Sequence, residues 1–379
     1  MNAPPDARLH AVTVPRWGMT MTEGKLTGWL VPEGGAVAAG DEVAEIETSK
    51  ITNAVEAAAG GILRRHVAPV GAVLPCGALI GVIAPPDAPD AEIAAFVAAR
   101  SDPAQAAEAE AVAPLPRAVE AGGTRLMVLT TGSAAGEPFV LVHGFGGQIN
   151  TWLFNQAALA ADRPVHALDL PGHGGSTAEV GDGGVTALAA AVLAALGAMG
   201  VGRAHFAGHS LGGAVCLEVA ARTPERVASL TLIAPLGLGM GVDAGYVDGF
   251  LAAGRRPQMK AALERLFADP GVVTRPMVDD ALAMKRTDGV QDALARIAAA
   301  TMPAGRQTYD GRATLAGLRV PVQVIWGEAD GVIPPAYAAG LPDAVAVHVL
   351  PGAGHMPQME QAARVNELMA GLARRAGSP

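Results

Sequence analysis

Three residues able to build an activated nucleophile occur here in an informative order. Ser210 lies in the run GHSLGG, Asp330 follows VQVIWGEAD, and His355 follows AVHVLPGAGH. A serine hydroxyl is a weak nucleophile until a neighbouring base takes its proton. The base in turn needs an acid to fix its tautomer and stabilise its charge. His355 would be that base and Asp330 that acid. Gly208 and Gly212 leave room for a sharp strand–turn–helix elbow that exposes the hydroxyl. At such an elbow the Leu211 N–H can donate to a developing oxyanion, and the HGFGG run (His143–Gly147) would supply a second donor, the Phe145 N–H. Other candidates carry less weight. His143 reads as a residue that fixes its own loop. His173 and Ser176, in DLPGHGGS, read as shaping a loop after the sheet. His209, the variable position of the elbow, reads as packing beneath it, and Glu328 is a less favoured substitute for Asp330.

A second chemistry centres on Lys50, in EIETSKITNAVEA. An acyl-carrying arm needs a lysine at the tip of a tight β-turn, where a ligase can reach the amine. The neighbours Ser49 and Ile51 favour lipoate, because biotin carriers place the lysine between two methionines.

The elements that must position these residues fall into three stretches. Residues 8–85 read as a small all-β sandwich: short strands broken by glycine turns, such as LHAVTVPRW, GKLTGWLV, DEVAEIETS and ALIGVIA. Residues 86–117 form an Ala/Pro/acidic linker. Within it Ile93, Phe96 and Val97 recur at helical spacing, a helix whose apolar face is too small to stand alone. It is expected to dock on a partner or on the following domain, while the linker lets the carrier move independently. From 118 to 376, apolar strands alternate with helical runs, which indicates a mostly parallel sheet covered on both faces. Residues 236–312 break that rhythm with helical segments only and read as a cap over the sheet's C-terminal edge.

Half of the 379 residues are hydrophobic and the formal net charge is −9. The charge argues against nucleic-acid or anionic-membrane surfaces. With neither a leader-like start nor a membrane-length apolar run, a cytoplasmic protein is expected. Cys76 and Cys216 lack CxxC partners and read as reduced, buried thiols, so no metal is expected.

Taken together, the Lys50 motif, the PRWGMTMTEGKL opening, GHSLGG and the Ser210–Asp330–His355 order resemble one family. It is the dihydrolipoamide acetyltransferase (E2) subunit of acetoin dehydrogenase complexes, in which a lipoyl domain is joined to an α/β-hydrolase-fold domain. The resemblance runs from about Val12 to Leu372. It implies lipoate on Lys50, a thiamine-diphosphate E1 partner, an E3 dihydrolipoamide dehydrogenase, a lipoyl ligase, and transfer of acetyl to coenzyme A. Two features depart from ordinary E2 subunits: there is no H-x-x-x-D-G motif and no subunit-binding helix pair. Three function classes follow. The first is acetyl transfer to coenzyme A through acyl-Ser210, the second an esterase or thioesterase using water, and the third a carrier or scaffold with a non-catalytic hydrolase fold. Arg255, Arg256 and Lys260 in the cap are candidate phosphate contacts, with solvated surface charges the blander reading. Homo-oligomerisation is left open.

Overall fold

The computed structural model describes residues 8–15, 23–47, 52–100, 114–133 and 135–376. The chain divides into two compact units, Met1–Pro114 and Leu115–Pro379.

The first unit is built from two four-stranded sheets. One has the order β1 (His10–Thr13), β8 (Leu79–Ala84), β6 (Gly61–His66), β3 (Ala36–Val37). The other has the order β5 (Thr52–Glu56), β4 (Glu42–Glu47), β2 (Glu23–Trp29), β7 (Val73–Pro75). Every pairing is antiparallel. Alternating residues of both sheets, among them Val12, Leu26, Val43, Ile46, Leu63 and Ile80, close one apolar core. The β4–β5 ladder runs to Glu47↔Thr52. The residues joining these two strands, 48–51, include Lys50 and lie outside the described residues.

Helix α1 (Asp90–Arg100) corrects one expectation. It packs on the carrier unit itself, where a partner or the following domain was the expected surface. Ile93 and Phe96 pack with Leu9, Leu79, Val82, Ala84 and Ala88. The outer face of β8 is apolar at Leu79 and Val82, so the helix and the strand cover one another. Arg64 fastens the connection: its guanidinium donates to the carbonyls of Pro86 and Ala88 at 3.2 and 3.1 Å and to Asp90 at 2.7 Å. Residues 101–113, most of the remaining expected linker, lie outside the described residues, and Arg117, its expected last residue, already opens a strand of the second unit.

The second unit carries an eight-stranded sheet. Its strands are β9 (Arg117–Ala121), β10 (Thr124–Thr131), β11 (Phe139–Val142), β12 (Val165–Leu168), β13 (Ala204–His209), β14 (Val227–Ile233), β15 (Val322–Gly327) and β16 (Val345–Leu350). The order across the sheet is β16-β15-β14-β13-β11-β12-β10-β9. Pairing is parallel from β12 to β16, and the β9–β10–β12 edge is antiparallel. Strands β11 to β15 are buried along their whole length, as expected when helices cover both faces. Those helices are α2 (Leu153–Leu159), α3 (Val185–Ala198), α4 (Leu211–Arg222) and, at the C-terminal end, α10 (Pro357–Glu360) and α11 (Ala362–Ala376).

Between β14 and β15 the chain forms α5 (Ala244–Ala252), α6 (Arg256–Glu264), α7 (Arg275–Lys285), α8 (Val290–Thr301) and α9 (Arg312–Gly317), with no strand. Helix α8 shows why this segment folds. Its buried residues Val290, Ala293, Leu294, Ile297, Ala298 and Thr301 follow the three-four spacing of a single helical stripe. Each large aliphatic side chain so buried contributes roughly 1.5–3 kcal/mol.

The topology positions the chemistry. Strand β11 lies between β12 and β13, so the chain leaves it in one direction and returns on its other side. The C-terminal ends of β11 and β13 therefore adjoin at the switch point of the sheet, where α/β folds form their crevice.

Candidate active site

Ser210 sits at the end of β13, immediately before α4, with φ 53° and ψ −118°. A positive φ is costly for a residue with a side chain and persists only where its surroundings enforce it. Here they do. A Cβ on Gly208 would come within 2.2 Å of the Gly212 carbonyl oxygen, and one on Gly212 within 2.2 Å of the Val142 oxygen. The Ser210 N–H donates to the Ile233 carbonyl at 2.9 Å, and the Ser210 carbonyl accepts from Gly213 and Leu236 at 2.9 and 3.0 Å. The elbow is thus locked on both sides.

Two further strands bring the partners. His355 Nδ1 and Asp330 Oδ2 lie 2.8 Å apart, and both residues are buried. Asp330 also accepts from the Trp326 indole N–H at 3.0 Å and from the Val332 and Ile333 N–H groups at 2.8 and 2.9 Å. Burial alone would raise its carboxyl, but His355 and these donors together hold it below the usual carboxylate value. The close approach that joins the loops after β15 and β16 needs Gly327, where a Cβ would lie 2.0 Å from the Gly354 oxygen. Glu328 is exposed and plays no part in this contact.

The loop after β11 closes the site from the opposite side. A Cβ on Gly144 would stand 2.9 Å from the Ser210 Cβ, so the backbone passes directly beside the hydroxyl-bearing residue. His143 Nε2 accepts from the Leu170 N–H at 3.0 Å, which leaves Nδ1 to donate to the Gly144 carbonyl at 2.8 Å. Burial holds His143 well below the ordinary histidine value, and so it stays neutral and fixes the loop. His173 does the same one peptide further on: its Nε2 accepts from the Gly146 N–H at 3.1 Å, and burial lowers it to about 4. His209 is buried beside His355. Its Nε2 lies 2.8 Å from the His355 carbonyl oxygen, and burial lowers it to about 3.

Three further residues brace the site: Ser176, read from the sequence as shaping its loop, and Asp169 and Tyr246, which carried no clear signal there. Asp169 is buried and accepts from the Ile149 and Gly175 N–H groups at 2.8 and 3.0 Å, tying the loop after β12 to the turn that follows the HGFGG run. Burial raises its carboxyl to about 6. Ser176 donates to the Asp169 carbonyl at 2.7 Å. Tyr246, from α5, donates its hydroxyl to the Phe145 carbonyl at 2.8 Å. A buried aspartate in DLPGHGGS and a tyrosine in a short Gly-containing helix have nothing in their local spacing to mark them.

Ser210, His355, His209, Phe145 and Gly144 line one cavity of about 130 Å3. Its far wall is apolar, from Leu263, Leu266, Phe267, Met277, Met356 and Met359, with Gln148, Asn150, Thr151 and Asp280 as polar members. None of Arg255, Arg256 and Lys260 lines it. Arg256 pairs with Asp279 at 2.5 Å and Lys260 with Glu264, while Arg255 stands at the N-cap of α6.

Comparison with known proteins accounts for both units. A family described as alpha/beta hydrolase fold matches residues 137–362, and one described as biotin-requiring enzyme matches residues 10–83. The dihydrolipoyllysine-residue acetyltransferase component of the acetoin cleaving system of Pseudomonas putida is 45% identical. The match covers 97% of this chain and all of that protein. The chain belongs to this family of acetyltransferase components. The counterpart from Cupriavidus necator is 41% identical over 94% of this chain and 96% of its own length. Among solved structures, a meta-cleavage product hydrolase from Pseudomonas fluorescens superposes with a TM-score of 0.63 at 23% identity. That alignment covers 69% of this chain and 98% of the hydrolase, a likeness of fold. In this acetyltransferase component, Cys76 and Cys216 are both buried. Among its described residues, no helix is long and apolar enough to cross a membrane.

Proposed function

We propose that this acetyltransferase component moves an acetyl group from a lipoyl arm on Lys50 to coenzyme A, through an acyl-Ser210 intermediate. The observation that carries the reading is the Ser210 elbow sharing one cavity with His355, whose ring is paired with buried Asp330, on a chain joined to a carrier unit of the lipoyl type. Lipoate, amidated on Lys50, would supply the sulfur that bears the acetyl group as a thioester.

The residues then have separate tasks. His355 takes the Ser210 proton as the oxygen attacks the thioester carbonyl and a C–O bond forms. Asp330, held as a carboxylate, fixes the Nδ1–H tautomer and stabilises the imidazolium. The Phe145 and Leu211 N–H groups receive the oxyanion. The C–S bond breaks, and His355 returns the proton to the departing sulfur. In the second half the coenzyme A thiol gives its proton to His355 and its sulfur attacks the ester carbonyl. The C–O bond breaks, and Ser210 regains its proton. Water in place of the thiol would make the same site a thioesterase. The buried apolar wall favours the thiol, because it limits water at the acyl group. An E1 component that loads the arm, an E3 flavoprotein that reoxidises it and a lipoyl ligase that attaches it complete the cycle.

The test supplies acetyl-dihydrolipoamide to the lipoylated protein with and without coenzyme A. Acetyl-coenzyme A should form far faster than free acetate, and Lys50→Arg should lose lipoylation in intact-mass spectra. Free acetate as the main product would make the protein a thioesterase. A lipoyl adduct that persists in Lys50→Arg would displace the carrier site.

A further inference from the structure

The loop beside Ser210 is held by more bonds than a turn requires. The Gly144 carbonyl accepts from His143 Nδ1 at 2.8 Å and from the Gly147 N–H at 3.0 Å. In a trans peptide the N–H points opposite to the carbonyl, so the Phe145 N–H is turned away from both donors. The next peptide is gripped at both ends. The Tyr246 hydroxyl donates to the Phe145 carbonyl at 2.8 Å, and the Gly146 N–H donates to His173 Nε2 at 3.1 Å. With both flanking peptides pinned, Phe145 has no backbone freedom left. Its ring is held edge-on by His173, Tyr246 and Phe250, at centroid separations of 6.2, 6.5 and 5.8 Å.

One of these grips comes from the helices inserted after β14. Tyr246 stands in the first turn of α5, and that helix is fastened at both ends. Asp243 accepts from the Gly245 and Tyr246 N–H groups at 3.0 and 3.1 Å and is itself held by Arg265 at 2.6 Å. At the other end the Lys285 ammonium donates to the carbonyls of Phe250, Leu251 and Ala253 at 2.7–2.8 Å. The tyrosine hydroxyl is therefore presented by a rigid element that the sheet's own loops do not supply.

We propose that Tyr246 is a positioning residue: by holding the Phe145 carbonyl it aims the Phe145 N–H at the oxyanion, and it makes the oxyanion hole depend on the seating of α5. The inference rests on the acyl-Ser210 reading above. Without the hydroxyl, the buried Phe145 carbonyl loses its donor. The readiest remedy is rotation of the Phe145–Gly146 peptide, which carries the adjoining N–H out of line. Because the oxyanion exists only in the transition state, the loss should fall on turnover and spare ground-state binding.

Tyr246→Phe, made in the full-length lipoylated protein, tests this. The expected result is a kcat lower by about 10- to 100-fold, with KM for the acyl donor within about twofold. Affinity for a trifluoromethyl ketone, which forms an oxyanion-bearing adduct with Ser210, should fall in the same proportion. Affinity for the unreactive methyl ketone should hold. If the variant does not fold, Arg265→Gln loosens the cap of α5 while keeping the hydroxyl. It should then show the same kcat-selective loss at about two- to fivefold. An unchanged kcat in the variant that folds, or a raised KM alone, overturns the proposal. Turnover that survives Ser210→Ala instead overturns the acyl-serine reading itself.

Discussion

His143, His173 and His209 show what a buried histidine does when it is not the base. Each is enclosed, each has a ring nitrogen committed to a backbone partner, and burial keeps each neutral. That arrangement has a cost in acid. Between the ordinary histidine value and about 4, the unfolded chain takes up a proton that folded His173 refuses. Stability is full above the unfolded value and falls as pH drops through this window, by about 3 kcal/mol from His173 alone. Asp169 opposes this. Its folded carboxyl titrates near 6 and takes its proton before the unfolded chain does, so it regains some stability over the same range. Three histidines outweigh one aspartate. The urea midpoint of the hydrolase unit should therefore fall between about pH 7 and pH 5, and the slope should be shallower in His173→Asn. A flat midpoint across that range would mean that these histidines are not held neutral.

Among the elements, α1 and α5 are the two that sequence reasoning placed least well, for different physical reasons. The periodicity of Ile93, Phe96 and Val97 is enough to reveal α1, but periodicity does not say which surface a short apolar stripe covers. The complementary residues, Leu79 and Val82, lie more than ten positions earlier on a strand that is apolar on both faces. Since α1 belongs to the carrier, Phe96→Ala in the full chain should destabilise the carrier by roughly 3 kcal/mol and so lower its thermal transition temperature. The transition of the hydrolase unit should not move. A carrier transition that stays in place would show that the helix contributes nothing to it. Helix α5 went unread because AGYVDGFLA carries two glycines that interrupt its apolar stripe, and beside its local Asp243 cap it is held by Arg265 and Lys285 through tertiary contacts. Helices α6, α7 and α8 were legible because apolar stripes repeat along them. The strands leading to Ser210 and Asp330 were legible because full burial makes them largely apolar, and the edge strand leading to His355, although partly exposed, is also largely apolar in sequence.

At the scale of the whole molecule, the chain joins two units, one of the biotin/lipoyl carrier type and one with an α/β-hydrolase fold. In the function proposed above, the acetyl group passes through Ser210 on its way from the lipoyl arm to coenzyme A. The direct measurement is rapid-quench mass spectrometry of the lipoylated protein after mixing with acetyl-dihydrolipoamide, first without coenzyme A and then with a chase of it. The expected result is an acetyl increment on the peptide containing Ser210, cleared on the chase in step with acetyl-coenzyme A formation. Both should be absent in Ser210→Ala, whose turnover should fall by about 10^3-fold or more. Acetyl-coenzyme A formation at an undiminished rate in Ser210→Ala, with no acetyl on the Ser210 peptide of the unsubstituted protein, would contradict it and leave direct attack of thiol on thioester as the mechanism.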